Sequence, residues 1–189
     1  ARVRTEKENR LTAYHEAGHA VVSHYCKNTD PVKLITIIPA GRAGGVTVSR
    51  PEEDINYYTR GGMLDQIRMS LGGRVAEELV LDDISSGASG DIQQATKMAR
   101  GMVTQYGMSD KFGLMALSTV SNPYLDGSTM MNCADETAAQ ADEEIKQLLA
   151  KCPCKCCVEE CACEGECKCE CECNCACEEA PAEEAEPAE

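Results

Sequence analysis

Histidine is scarce in this 189-residue chain: three are present, at positions 15, 19 and 24. Any histidine-based site must therefore be completed by other residue types. Basic residues are also few, 18 Lys and Arg against 32 Asp and Glu, and neither half of the chain is basic. That argues against nucleic acid as a main partner. No stretch approaches the roughly 18 apolar residues of a membrane span, so direct membrane insertion by this chain is not expected. A G-x-x-x-x-G-K-[ST] phosphate loop is missing, and with it any ATP site. No secretory signal opens the chain, and its first residue is alanine. It reads as a processed or excised piece, cytoplasmic, with reduced thiols.

Cysteine, by contrast, is plentiful and unevenly placed. Of 14 cysteines, 12 lie between Cys152 and Cys177. From Lys151 onward 3 Lys stand against 12 Glu, so most of the overall charge of −14 belongs to this tail. Apart from cysteine, the tail has almost no large apolar residue except Val158, so it cannot build a core. We expect a folded domain over 1–150 and a disordered Cys/Glu-rich tail over 151–189.

The body reads as α+β, mainly α-helical, with one small β-sheet. Thr5 and Glu8 fit a capping box opening a helix that runs to about Cys26, with Leu11, Tyr14, Gly18, Val21, Val22 and Tyr25 on one face. The β-branched runs 32–38 and 45–49 flank a "PAGRAG" turn and predict a hairpin. Three further helices are expected. The first spans about 60–81, with Leu64, Ile67, Leu71, Val75 and Leu79 inward. The second spans about 89–106, with Ile92, Ala95, Ala99, Val103 and Tyr106 inward. The last spans about 135–150, with Ala138, Ala141, Ile145 and Leu148 inward.

The stretch "HEAGH" carries the chemistry. Residues four apart stack on one helix face, so His15 and His19 can offer a nitrogen each to one ion, with Glu16 one step round. Zinc would acidify a water there, and the carboxylate would take its proton as general base. The mid-helix Gly18 costs about 1 kcal/mol relative to alanine unless something must approach closely. An alternative is an ordinary helix with two half-buried histidines.

The third ligand is less legible. The extended signature H-E-x-x-H-x-x-G-x-x-H would need Gly at 22 and His at 25, where Val22 and Tyr25 stand. His24 is out of register and reads as a surface or packing residue. Carboxylates remain: Glu77, Glu78 and Asp91. Helical geometry places Glu78 on the face of Ile67 and Leu71, with Glu77 well off it. Asp91 at a helix start is stabilised there even without a metal. Geometry alone leaves Asp91 and Glu78 both open.

Several linked segments occur in order: "LTAYHEAGHAVV", "ITIIPAGRAGGVT", "LGGRVAEELV", "SSGASGDIQQAT" and "ARGMVTQYGMSDKFG". Over about residues 2–150 they closely resemble the peptidase domain of the FtsH family, membrane-anchored ATP-dependent AAA zinc metalloproteases. The resemblance implies a zincin-type fold and one Zn²⁺ held by His15, His19 and Asp91 of the "GASGD" segment. Glu16 would be the general base. Glu78, and with it Glu77, would support the site from behind or pack beside it. Gly45, Val46, Thr47 and Val48 would form an edge that pairs with an extended substrate; the alternative is a plain core hairpin. The substrates implied are unfolded or extracted polypeptides. The implied partners are a homohexamer and an AAA ATPase module, at the cytoplasmic face of a membrane. The family's anchor and ATPase module are not in this chain, and the tail replaces the helix that continues the family's domain.

The tail itself repeats C-x-C pairs. Cys152, Cys154, Cys156, Cys157, Cys161, Cys163, Cys167, Cys169, Cys171, Cys173, Cys175 and Cys177 are candidate thiolate ligands for further soft metals. The competing functional reading is therefore an inactive metal-binding or scaffold protein working through this tail.

Overall fold

Thr5 caps the first helix as its spacing predicts. Its hydroxyl accepts from the Glu8 N–H at 3.2 Å, and its own N–H donates to Glu8 Oε2 at 2.8 Å. This opens α1, Glu6–Tyr25. The computed structural model describes residues 4–39, 44–51, 57–81, 83–120 and 129–151. All lie within one unit, Ala1–Pro153. The candidate thiolates Cys152–Cys177 and the expected disorder of the tail fall outside the described residues.

After α1 come β1, Val32–Thr36, and β2, Val46–Ser49, paired antiparallel with Ile35 opposite Thr47 and a bulge between Val32 and Leu34. Then follow α2, Arg60–Leu81; a 3₁₀ turn, Ser86–Ala88; and α3, Ser89–Thr104. β3, Ser118–Val120, pairs antiparallel with β4, Thr129–Met131, before α4, Asp135–Lys151. The body is thus mainly helical with two separate two-stranded sheets, where the sequence led us to expect one. The second sheet is three residues per strand, too short to stand out as a periodic run.

The core lies among α2, α3 and α4. Ile67, Met102, Val103 and Leu117 are fully buried, joined by Met63, Leu71, Ala95, Ala99, Ala141 and Ile145. Two residues expected inward on the 89–106 helix are not: Ile92 and Tyr106 are exposed, Tyr106 lying past the end of α3, while Met102 is fully buried. Among the described residues no helix is long and apolar enough to cross a membrane.

α1 departs from its hydrophobic pattern. Tyr14, Val21 and Tyr25 are exposed, and the buried face is His15, Glu16, Gly18, His19 and Ser23. The reason is a backbone-to-backbone crossing with α2. A Cβ on Gly18 would run into the Gly72 carbonyl oxygen and the Ala76 Cβ; one on Gly72 would lie 2.7 Å from the Gly18 carbonyl oxygen. Both glycines are needed for helices to pass this closely. The crossing turns the polar face inward, and the site is built there.

Candidate metal centre

Both histidines are oriented from behind. His15 Nδ1 donates to Glu77 Oε1 at 2.7 Å, and His19 Nδ1 donates to the Met69 carbonyl oxygen at 2.8 Å. A carbonyl and a carboxylate can only accept, so both protons sit on Nδ1. In the neutral imidazoles each Nε2 then presents a lone pair. The two Nε2 atoms lie 3.0 Å apart, and Asp91 Oδ2 lies 3.3 Å from that of His15 and 3.8 Å from that of His19.

Three acceptors converge there with no donor between them, which is a demand for a cation. Burial pushes the His15 pKa down, but hydrogen bonds and charge from Asp91 and Glu77 outweigh it and raise the pKa above its ordinary value of 6.5. The metal-free cluster thus draws in a proton. The spacings also suit a metal: four donors about 2.0–2.1 Å from a tetrahedral zinc stand roughly 3.4 Å from each other. Among the described residues this is the only group of three or more His, Cys, Asp or Glu with donor atoms all within 4.8 Å of one another. Gly73 makes room for it, since a Cβ there would lie 2.7 Å from the Nε2 atoms of both imidazoles.

Asp91 comes from the first turn of α3, opposite the two histidines of α1. Glu16, also buried, turns to β2, where the Thr47 hydroxyl lies 2.7 Å from its Oε2 and 3.0 Å from its carbonyl oxygen. A cleft of about 450 Å³ connects these groups. His15, Glu16, His19 and Asp91 line it together with Gly45, Val46 and Thr47. Val48 does not line it and is exposed.

The two adjacent glutamates are reversed from the helical-face expectation. Glu77 is fully buried, and besides His15 it accepts from the Ser85 N–H at 2.7 Å and the Ser85 hydroxyl at 3.0 Å. Glu78 is exposed and pairs with Arg74 at 3.0 Å. The face was assigned from Ile67 and Leu71, which pack on α3 and α4, whereas Glu77 faces α1. His24 is exposed and stacks edge-on against Tyr25. Sequence reasoning missed Gly73, Ser85 and the Met69 carbonyl. Only the glycine pair in "LGGR", costly in mid-helix, offered a signal.

Two imidazoles and a carboxylate around a cation-sized gap, with a further carboxylate in the same cleft, form a candidate metal centre of the kind metal-dependent hydrolases use. Residues 2–159 match the model of Peptidase family M41, and the chain belongs to that family. It is 49% identical over 151 residues to an ATP-dependent zinc metalloprotease FtsH of Clostridium perfringens, covering 79% of this chain and 21% of that protein. It is 51% identical over 152 residues to ATP-dependent zinc metalloprotease FtsH 1 of a Thermoanaerobacter species, covering 79% of this chain and 25% of that protein. FtsH 2 of Alkaliphilus metalliredigens is likewise 51% identical over 152 residues, with 79% and 22% covered. The chain therefore spans about a fifth to a quarter of the length of these curated relatives.

Proposed function

We propose that this chain is the proteolytic part of an ATP-dependent zinc metalloprotease, a zincin-type domain over about residues 1–150 that hydrolyses peptide bonds in unfolded or extracted polypeptides. His15, His19 and Asp91 would hold one Zn²⁺. Bound there, zinc supplies a Lewis acid that polarises the scissile carbonyl and acidifies the attacking water. Glu16 takes the water's proton as its oxygen adds to the carbonyl carbon. It then delivers that proton to the amide nitrogen as the C–N bond breaks, leaving a carboxylic acid and an amine. β2, beside the cleft, offers its edge to an extended substrate. Backbone pairing of that kind selects weakly for sequence, as unfolded substrates require.

The observation that carries this reading is one cleft holding three acceptors around a cation-sized gap and a separate carboxylate, Glu16. Unfolding and delivery of substrate belong to an AAA ATPase module. We place that module in a longer parent assembled as a homohexamer at the cytoplasmic face of a membrane. Glu16→Gln tests the chemistry: zinc stays bound, while chelator-sensitive cleavage of an unfolded casein falls by about 10²–10⁴-fold. Wild-type cleavage by Glu16→Gln would overturn the role of Glu16.

A further inference from the structure

Ser85 stands between two of the three metal donors, at neither of them. Its hydroxyl donates to Glu77 Oε1 at 3.0 Å and its N–H donates to Glu77 Oε2 at 2.7 Å. Glu77 in turn accepts from His15 Nδ1 at 2.7 Å. The same Ser85 oxygen accepts from the Gly87 N–H at 3.1 Å and so caps the 3₁₀ turn Ser86–Ala88. That turn runs directly into α3, whose first turn carries Asp91. The N-cap residue of α3, Ala88, makes no side-chain cap bond of its own. The start of α3 is therefore held from one step upstream, by Ser85.

We infer that Ser85 is a positioning residue for the metal: one hydroxyl fixes the ring of His15 through Glu77 and the carboxylate of Asp91 through the capped turn. This rests on reading His15, His19 and Asp91 as the zinc site. The third donor, His19, is fixed separately by the Met69 carbonyl at 2.8 Å, so Ser85 acts on the other two together. Groups that hydrogen-bond to metal ligands, as Glu77 does to His15, are worth about 10–100-fold in metal affinity, and Ser85 acts one bond further out. Ser85→Ala keeps the backbone N–H on Glu77, so the lower end applies: a loss of about tenfold.

The test is a zinc titration of the full chain in a chelator buffer that sets free zinc, so metal taken up by the tail thiols does not alter the free concentration. Occupancy is read from the side-chain ¹⁵N resonances of His15 and His19, two of only three histidines in the chain. Ser85→Ala should need about tenfold more free zinc for half-occupancy, while Ser85→Thr, which keeps the hydroxyl, stays within about twofold of wild type. A loss below about fivefold for Ser85→Ala, or an equal loss for Ser85→Thr, overturns the proposal. Should Ser85→Ala be unfolded without metal, the free zinc at half-refolding is compared with that of Thr104→Ala. Thr104 is buried and bonds to Ser118, in neither of the two networks around the donors. A greater zinc requirement for Ser85→Ala at matched destabilisation supports the inference, and an equal one overturns it. Asp91→Ala separates the two levels. If it binds zinc as tightly as wild type, the metal-site reading itself fails. If it is weakened while Ser85→Ala is not, only the role of Ser85 fails.

Discussion

Gly73→Ala asks the most of the site's geometry. A Cβ on Gly73 would stand 2.7 Å from His15 Cε1, His15 Nε2 and His19 Nε2. Ordinary contact between such atoms is about 3.5 Å, so the imidazoles must retreat by roughly 0.8 Å. A zinc–nitrogen bond tolerates about 0.2 Å. The rings cannot slide back freely, because Glu77 and the Met69 carbonyl hold their Nδ1 atoms at 2.7 and 2.8 Å. At least one nitrogen is therefore lost to the metal. We expect zinc affinity to fall by about 100-fold or more, about 2.8 kcal/mol. Without metal the change is much smaller. Alanine gains about 1 kcal/mol in mid-helix, against a displaced histidine hydrogen bond worth about 1.5–3 kcal/mol where it meets the Glu77 carboxylate. Gly90→Ala is the control, since a Cβ there meets nothing within 4 Å beyond its own chain neighbours and helix backbone. Zinc-buffered titration read at His15 and His19 measures all three proteins. Gly73→Ala binding within about threefold of wild type would refute the reasoning, because the rings could not then be where the close packing puts them.

Thr47→Val removes the hydroxyl that sits 2.7 Å from Glu16 Oε2. A hydrogen bond to a charged group is worth about 1.5 kcal/mol or more, so kcat should fall about tenfold with zinc affinity unchanged and Thr47→Ser close to wild type. An unchanged kcat would show that Glu16 needs no such orientation. Stability should depend on pH through His15, and the sign follows from its raised pKa. The folded metal-free protein holds this proton more tightly than the unfolded chain. Its contribution is fully present below the unfolded value of about 6.5 and is lost as pH rises through the raised folded value. Zinc reverses the trend, since metal and proton compete for the same nitrogen and acid weakens the bound form. Thermal unfolding of chelator-treated protein across that range, with His15→Gln as the background, checks this. No difference in slope between the two would contradict it.

Much of this was readable in residue order, and the misses share a physical cause. The Thr5–Glu8 box, the helix-like periodicity and the one-turn spacing of His15 and His19 are local, and local rules place them. Burial of α1 is not local. Tyr14, Val21 and Tyr25 look like a core stripe, yet the Gly18–Gly72 crossing overrides them and turns the histidines inward. Glu77 and Glu78 differ by one helical step, and the choice between them depends on which side of α2 meets α1 rather than the core. The short β3–β4 pair depends on partners nine to thirteen residues away. Asp91 was reachable by spacing only as one candidate of several, and the family motif singled it out.

The most direct test is anomalous diffraction at the zinc absorption edge from crystals of the zinc-loaded chain. A peak is expected in the body about 2.0–2.2 Å from Nε2 of His15, Nε2 of His19 and a carboxylate oxygen of Asp91. Glu77 should remain on His15 Nδ1 and Glu16 should stand free of the metal. A peak bonded to Glu77 in place of Asp91, or no peak between the two histidines, would contradict it.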